Sequence, residues 1–391
     1  MLPPATGLAK RPRSIAHGPA PRYGLPMDVD VAVIGGGIAG LAIAAWLAPH
    51  RDVVVLEAEE TLGYHTTGRS AALYTECYGA DPIRSLARAS KEYLLSGKGL
   101  VEPRPVLFVA RPGRTRQLAA LHEESLLQVP TVQRLTPAEV HEMCGAIAVE
   151  GTDGALLEPD SLELDVNAIQ TSYVRTIRRS GGTILTTTQV DAIRRSRDRW
   201  WITGNGTTLS SRVVVNAAGA WGDQLAAAAG VAPLSLLPLL RSVFTFTSTH
   251  LTTRWPFVVD VDEQWYFKPE GPNLLGSAAS QLFSEPHDAR APEIDVALGI
   301  ERINAATDLA IRSVRTTWAG LRTFTADRIP AVGFDPDAPD FFWLVGQGGS
   351  GIMTSPAIGE LAASLILSDT IPQRIAAYGV TRESLDPRRL R

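Results

Sequence analysis

Two glycine-rich turns constrain this chain more than anything else in it: Gly35-Gly36-Gly37-Ile38-Ala39-Gly40 near one end and Gly346-Gln347-Gly348-Gly349-Ser350-Gly351 near the other. The first lies between an apolar run, Asp30-Val31-Ala32-Val33-Ile34, and an alanine- and leucine-rich segment from Leu41 to Leu47. That order predicts strand, turn and helix. Gly35 permits the tight turn, Gly37 lets the backbone approach a pyrophosphate, and Gly40 lets helix pack on strand. The helix start directs unpaired N–H groups and a positive dipole end at the phosphates. Val53-Val54-Val55-Leu56 predicts a second strand, and Glu57 at its end has the spacing of a carboxylate that binds a ribose hydroxyl. One such turn points to a dinucleotide. Two, placed so far apart, point to a cofactor gripped at both ends, and that cofactor is FAD.

Bulk properties agree with an enzyme of more than one domain. The chain has 391 residues, long for a single domain. A net charge of −4 gives no reason to expect nucleic acid or an acidic membrane surface as partner. Two cysteines, Cys77 and Cys144, are too few for a disulfide framework. The apolar run Val231 to Leu240 is broken by prolines and too short to span a bilayer, so no integral membrane segment is expected. Residues 1–26 carry prolines, glycines and scattered basic residues without a secretory signal, and read as a disordered tail. The histidines, cysteines and acids do not cluster at metal-ligand spacing, so no metal is expected.

Beyond Glu57 runs Gly63-Tyr64-His65-Thr66-Thr67-Gly68-Arg69-Ser70-Ala71-Ala72, a loop of small and hydroxyl-bearing residues suited to wrapping a flat ring. Further segments are Thr75-Glu76-Cys77-Tyr78-Gly79, Val215-Asn216-Ala217-Ala218-Gly219-Ala220-Trp221, Trp265-Tyr266-Phe267-Lys268-Pro269 and Leu275-Gly276-Ser277. Thr317-Trp318-Ala319-Gly320-Leu321-Arg322, the second glycine turn and Pro387-Arg388-Arg389-Leu390 complete the set. In order and spacing these resemble the D-amino-acid oxidase family, in particular the FAD-dependent branch that includes D-arginine dehydrogenase. The resemblance covers all but the N-terminal tail.

The resemblance implies an α/β fold: a Rossmann-like FAD-binding domain interwoven with an α+β substrate domain built on an antiparallel sheet. The FAD-binding part is expected in residues 27–88, 151–232 and 319–391, and the substrate part in 89–150 and 233–318. It implies cofactor contacts at Gly35, Gly37, Ile38, Ala39, Gly40, Glu57, Ala58, His65, Thr66, Thr67, Arg69, Ser70 and Ala71. It implies others at Val190 (on a strand starting at Gln189), Ala218, Gly219, Trp221, Gly320, Arg322, Gly348, Gly349, Ser350, Gly351, Ile352 and Met353. Neither cysteine occupies the position used for covalent flavin attachment in the sarcosine-oxidase branch, so the FAD is expected to be non-covalent. His65 is expected to touch the cofactor, not to remove a proton.

Flavin does the difficult chemistry, which leaves few tasks for the protein. A D-amino acid must bring its Cα hydrogen to flavin N5, at about 3 to 3.5 Å between heavy atoms, with a neutral amine. Arginine forks suit the carboxylate because they bind both oxygens in a plane. By resemblance Arg241 and Arg322 form that clamp; the other reading of each is a structural ion pair with a nearby acid. Tyr266 and Tyr78 match pocket tyrosines, and either reads equally as a core aromatic. Thr75 matches a pocket position, and Gly349 offers a backbone carbonyl to the substrate amine.

Two departures from the relative bear on specificity. D-arginine dehydrogenase meets the substrate guanidinium with a glutamate just after a Pro-Arg-Pro run, whereas Pro103-Arg104-Pro105 is followed here by Val106. A histidine two residues before the pocket threonine is replaced by Leu73. Removing the anionic partner of a buried guanidinium costs about 3–5 kcal/mol. Leu73 and Val106 would instead form an apolar wall for a neutral or hydrophobic D-amino acid. Rival readings are glycine, sarcosine or another N-substituted amino acid on the same fold, a non-catalytic flavoprotein, and an NAD-dependent enzyme. The expectation is a cytoplasmic enzyme, with loose membrane association and the electron acceptor (quinone, other carrier or oxygen) left open.

Overall fold

The computed structural model describes residues 27–250, 252 and 254–391; the expected tail, 1–26, lies outside them. Apolar runs with no polar alternation need cover on both faces, and Val53–Leu56 and Phe341–Val345 are buried at every position. They enter an eight-stranded sheet. Met27–Ile34 runs parallel to Thr207–Asn216 on one side and to Val53–Leu56 on the other, and Thr183–Leu185 follows Val53–Leu56 in parallel. Phe341–Val345 pairs in parallel with the far end of Thr207–Asn216, whose near end takes Arg199–Gly204 in antiparallel. Ile34, Leu56, Asn216 and Val345 therefore end at one edge of the sheet, where the loops after them meet.

One face of this sheet is covered by Ile38–Leu47 and Gly351–Ser368, each buried on nearly every side. A Cβ on Gly359 would lie 2.8 Å from that of Ala42, so the absent side chain sets how closely the two helices approach. Pro356 interrupts the backbone ladder of the second helix, and the next N–H, of Ala357, donates to buried Ser90 Oγ at 3.1 Å. By length and hydropathy Gly351–Ser368 could cross a membrane, but 67% of it is buried inside the fold. It is the core helix of the first domain.

The second sheet has nine strands in the order Leu282–Phe283, Leu237–Phe246, Asn273–Ser277, Tyr266–Glu270, Phe257–Asp260, Val106–Ala110, Gly154–Glu158, Gln133–Leu135, with Thr316–Phe324 also on Leu237–Phe246. It is antiparallel except that Phe257–Asp260 and Val106–Ala110 run parallel. Glu293–Ala306 packs on it, with Gly299 against Phe244.

Three expectations need correction. Gly154–Glu158 falls within the stretch assigned to FAD binding, yet it pairs along its length with Val106–Ala110 in the second sheet. Thr316–Phe324 likewise crosses the expected boundary at 319 as one unbroken strand of that sheet. Gln189 and Val190 do not start a strand; the strand is Ala192–Ser196, and the Gln189 carbonyl lies where a side chain on Gly204 would have to go.

Candidate active site

Two cavities abut where the loop edge of the first sheet meets the second sheet. One, of about 370 Å³, is lined by Gly35, Gly37, Glu57, Ala58, His65, Thr66, Thr67, Val190, Ala218, Gly219 and Trp221 among others. The other, of about 240 Å³, is lined by Gly37, Ile38, Ala39, Thr66, Thr67, Arg69, Ser70, Ala71, Gly219, Gly320, Gly348, Gly349, Gly351, Ile352 and Met353 on its cofactor side. Gly37, Thr66, Thr67, Ala217 and Gly219 line both. The pair thus forms one elongated space, with the first glycine turn at the junction and the second beside it, where a Cβ on Gly351 would lie 3.6 Å from Ile38 Cγ2.

The walls fit a dinucleotide held along that space. Gly35 has a φ of +112°, and a Cβ there would collide with the Ala217 carbonyl. The Ile38 N–H at the helix start donates to Thr67 Oγ1 at 3.0 Å. Glu57 accepts from Gly36 N–H at 2.6 Å and Glu59 N–H at 2.9 Å, which fixes its carboxylate at the mouth of the wider cavity. The His65 ring bonds Glu59 at 2.9 Å and sits 4.6 Å from the Trp221 ring. It lines only the wider cavity, and Arg241 and Arg322 line only the other.

Two expected cofactor residues line neither space. Gly40 faces the carbonyl of Gly35, where any side chain would collide, so its task is to seat helix on turn. Ser350 is buried, donates to Gln347 O at 2.8 Å and accepts from Thr354 N–H through its carbonyl, so it closes the second turn. Arg69 lines the narrower cavity, but its guanidinium is committed: it donates to Ala289 O at 2.8 Å, Ala319 O at 3.0 Å and Asp288. With the Thr66 hydroxyl on Leu321 O at 2.7 Å, it ties the flavin loop to the second sheet.

The far wall of the narrower cavity carries the expected substrate residues Leu73, Thr75, Tyr78, Val106, Arg241, Tyr266 and Arg322. Arg322 is 9% exposed, and its Nε and Nη2 have no hydrogen-bond partner. Burial, and then the neighbouring Arg241, lower its pKa to about 10, which leaves it charged at neutral pH. Arg241 donates to Ser280 O at 3.2 Å and Ala279 O at 2.5 Å and lies 5.8 Å from the Tyr266 ring centre. Among the described residues neither arginine has an acidic partner within ion-pair distance. The structural-pair reading therefore does not hold for them. A Cβ on Gly349 would lie 3.0 Å from the Tyr78 hydroxyl and 3.2 Å from Arg322 Nη1, so glycine turn, tyrosine and arginine converge.

Residues that the sequence did not single out complete the wall: Phe108, Val243, Phe257, Val259 and Glu263. Strand alternation could have found two of them. Phe108 lies two positions from Val106, and Val243 two from Arg241, so each pair shares a face. Glu263, in the turn before Trp265, carries the cavity's one lining carboxylate and had no signal. Cys77 and Cys144 are both buried and line neither cavity.

Residues 30–365 match the family described as FAD dependent oxidoreductase. The chain belongs to this family. Among its curated relatives is the glycine oxidase of Geobacillus kaustophilus (strain HTA426), 25% identical over 90% of this chain and 97% of the relative. Another is the 4-methylaminobutanoate oxidase (formaldehyde-forming) of Paenarthrobacter nicotinovorans, 26% identical over 92% of this chain and 46% of the relative. The solved structure of L-proline dehydrogenase from P. horikoshii superposes with a TM-score of 0.80 at 21% identity, covering 93% of this chain and 98% of that one. The cofactor of this FAD dependent oxidoreductase is FAD, and the fold is the mixed α/β fold of these proteins.

Proposed function

We propose that this FAD dependent oxidoreductase oxidises a neutral or hydrophobic D-amino acid to the imino acid, which water hydrolyses to the 2-oxo acid and ammonia. The observation that carries this reading is Arg322, a buried guanidinium without an acidic partner among the described residues that lines an apolar-walled cavity. A charge in that position needs an anion, and a substrate carboxylate supplies one. Arg241 and the hydroxyls of Tyr266 and Tyr78 flank the same point and complete a clamp on both oxygens. Leu73, Val106, Phe108, Val243, Phe257 and Val259 leave an apolar space for the side chain. FAD, bound without a covalent link, supplies the hydride acceptor. The protein's own residues hold the carboxylate, orient Cα toward the cofactor side and keep water out. The likeness to D-arginine dehydrogenase enters through the clamp alone, since the acid that would meet a guanidinium is Val106.

A second reading has its own support. The relatives named above act, by name, on glycine and on a methylaminobutanoate, and a clamp with an apolar wall also admits glycine or an N-alkylated amino acid. One experiment separates the two. The purified holoprotein is mixed without oxygen with paired D- and L-amino acids, glycine and sarcosine, and bleaching of the flavin band is followed. Rapid bleaching by apolar D-isomers alone supports the first reading. Bleaching by glycine or sarcosine moves the enzyme to the second, and D-arginine as best substrate would defeat the argument from Val106.

A further inference from the structure

Behind the clamp lies a carboxyl group that no task above uses. Glu158 ends the Gly154–Glu158 strand, is 1% exposed, and has no cationic partner within ion-pair distance among the described residues. Its oxygens accept from the Thr75 hydroxyl at 2.5 Å and the Glu76 N–H at 2.6 Å. Thr75 lines the narrower cavity. Glu158 is therefore one hydroxyl away from the space in which the substrate would lie. Resting on the proposed function, we infer that Thr75 and Glu158 form a relay that takes the proton from the substrate's ammonium group before oxidation.

The transfer balances across three heavy atoms, the substrate nitrogen, Thr75 Oγ1 and Glu158 Oε2. The ammonium N–H bond breaks as an O–H bond forms on Thr75 Oγ1. Thr75's own O–H bond breaks as one forms on Glu158 Oε2. No electrons leave either partner, and a cation and a buried anion become two neutral groups. That neutralisation favours the step, because an unpaired carboxylate in an apolar interior is costly. Burial pushes the Glu158 carboxyl above its ordinary range, against the opposing donors Thr75, Glu76 N–H and Cys77.

The groups that face Glu158 leave its charge largely to itself. Glu76 is engaged by Lys91 at 2.6 Å and by the Tyr74 hydroxyl at 3.1 Å. Arg84, from the helix Asp81–Ser96, is paired with Glu124 of Thr115–Leu126 at 2.8 Å. Arg104, before the Val106–Ala110 strand, is paired with Glu163 at 2.9 Å. The thiol of Cys77 faces Glu158 and stays protonated, pushed up by its burial and then by Glu158 itself. On the outer side, Arg134 of Gln133–Leu135 lies opposite Leu156 and is exposed. Glu158 acts through Thr75 and is a positioning residue in that sense; Thr75 is the group that meets the substrate.

The test is the pH dependence of anaerobic flavin reduction in the holoenzyme. In the wild type, reduction should persist well below the pKa of the free amine. In Glu158→Gln, which keeps the shape and can still accept from Glu76 N–H but must donate to Thr75 instead of accepting from it, the acidic limb should move up to the amine's own pKa. The rate near neutrality should then fall on the order of 10²-fold. Thr75→Val should do the same, and Thr75→Ser should restore the limb. A second readout needs no turnover. 2-Aminoisobutyrate, which has no Cα hydrogen, should raise a protonated-carboxyl band in the infrared difference spectrum of the wild type and none in Glu158→Gln. A uniform loss at all pH values with the limb unmoved, or a limb that follows Glu263→Gln instead, would overturn the relay while leaving the proposed function. A wild-type chain reduced by no amine would remove both.

Discussion

Arg322 holds a buried positive charge with no acid within ion-pair distance among the described residues, only the more distant carboxylate of Glu263, and that arrangement costs stability until an anion arrives. Replacing an unpaired buried charge by an apolar side chain of similar volume is commonly stabilising. Arg322→Met should therefore raise the melting temperature of the ligand-free protein while weakening carboxylate binding by roughly 2–5 kcal/mol, read by calorimetry and by titration with a non-oxidisable acid. The sign of the pH dependence follows from the lowered pKa. Arg322 is charged below about 10, so affinity for that acid should stay level through neutral pH and decline as pH rises past that value. Val106 tests specificity at the same scale. Val106→Glu should restore an anion opposite a basic side chain and raise kcat/KM for D-arginine relative to D-leucine on the order of 10²-fold.

The glycine turns show how elements fix the cofactor. Gly40 never meets the ligand, yet a side chain there would drive the helix off the turn that cradles the phosphates. Gly40→Val should yield protein that retains little flavin, measured as the ratio of flavin to protein absorbance after gel filtration. At this scale the sequence was a good guide wherever a residue type has one geometric meaning. Glycine marks a turn, so both cofactor turns were legible; alternation marks a face, so once the resemblance had assigned Val106 and Arg241 to the wall, Phe108 and Val243 were within reach. Gly154–Glu158 was assigned to the wrong sheet because its partner, Val106–Ala110, is distant in sequence and no turn signal links them. Glu158 itself was invisible for a related reason. A glutamate at the end of an apolar strand reads as the first solvated residue of a loop, and only the neighbouring Thr75 and Glu76 reveal a buried acceptor. That Arg322 lacks an acidic partner is likewise a fact of three dimensions.

For the whole molecule, the cofactor space is a seam. Its walls come from both sheets, joined by Arg69, Thr66 and the strand Thr316–Phe324. A ligand that binds only the folded state stabilises it by about 2.7 kcal/mol at a hundred times its dissociation constant. Removing FAD should lower the melting temperature, and adding it back should restore the value in a concentration-dependent way. Loss of Arg69 should reduce that FAD-dependent gain, because the loop it anchors forms part of both cavities.

The order in which the seam is supplied by the chain has a consequence during synthesis. The first glycine turn leaves the ribosome early, with its helix and the strand that ends at Leu56. Yet Thr207–Asn216 must be made before the first sheet can close on both sides of Met27–Ile34. Gly346–Gly351 and the core helix that follows are made about three hundred residues after the first turn. A growing chain therefore carries half a binding site until that helix can pack on Ile38–Leu47, and only then can the cofactor be held by both turns.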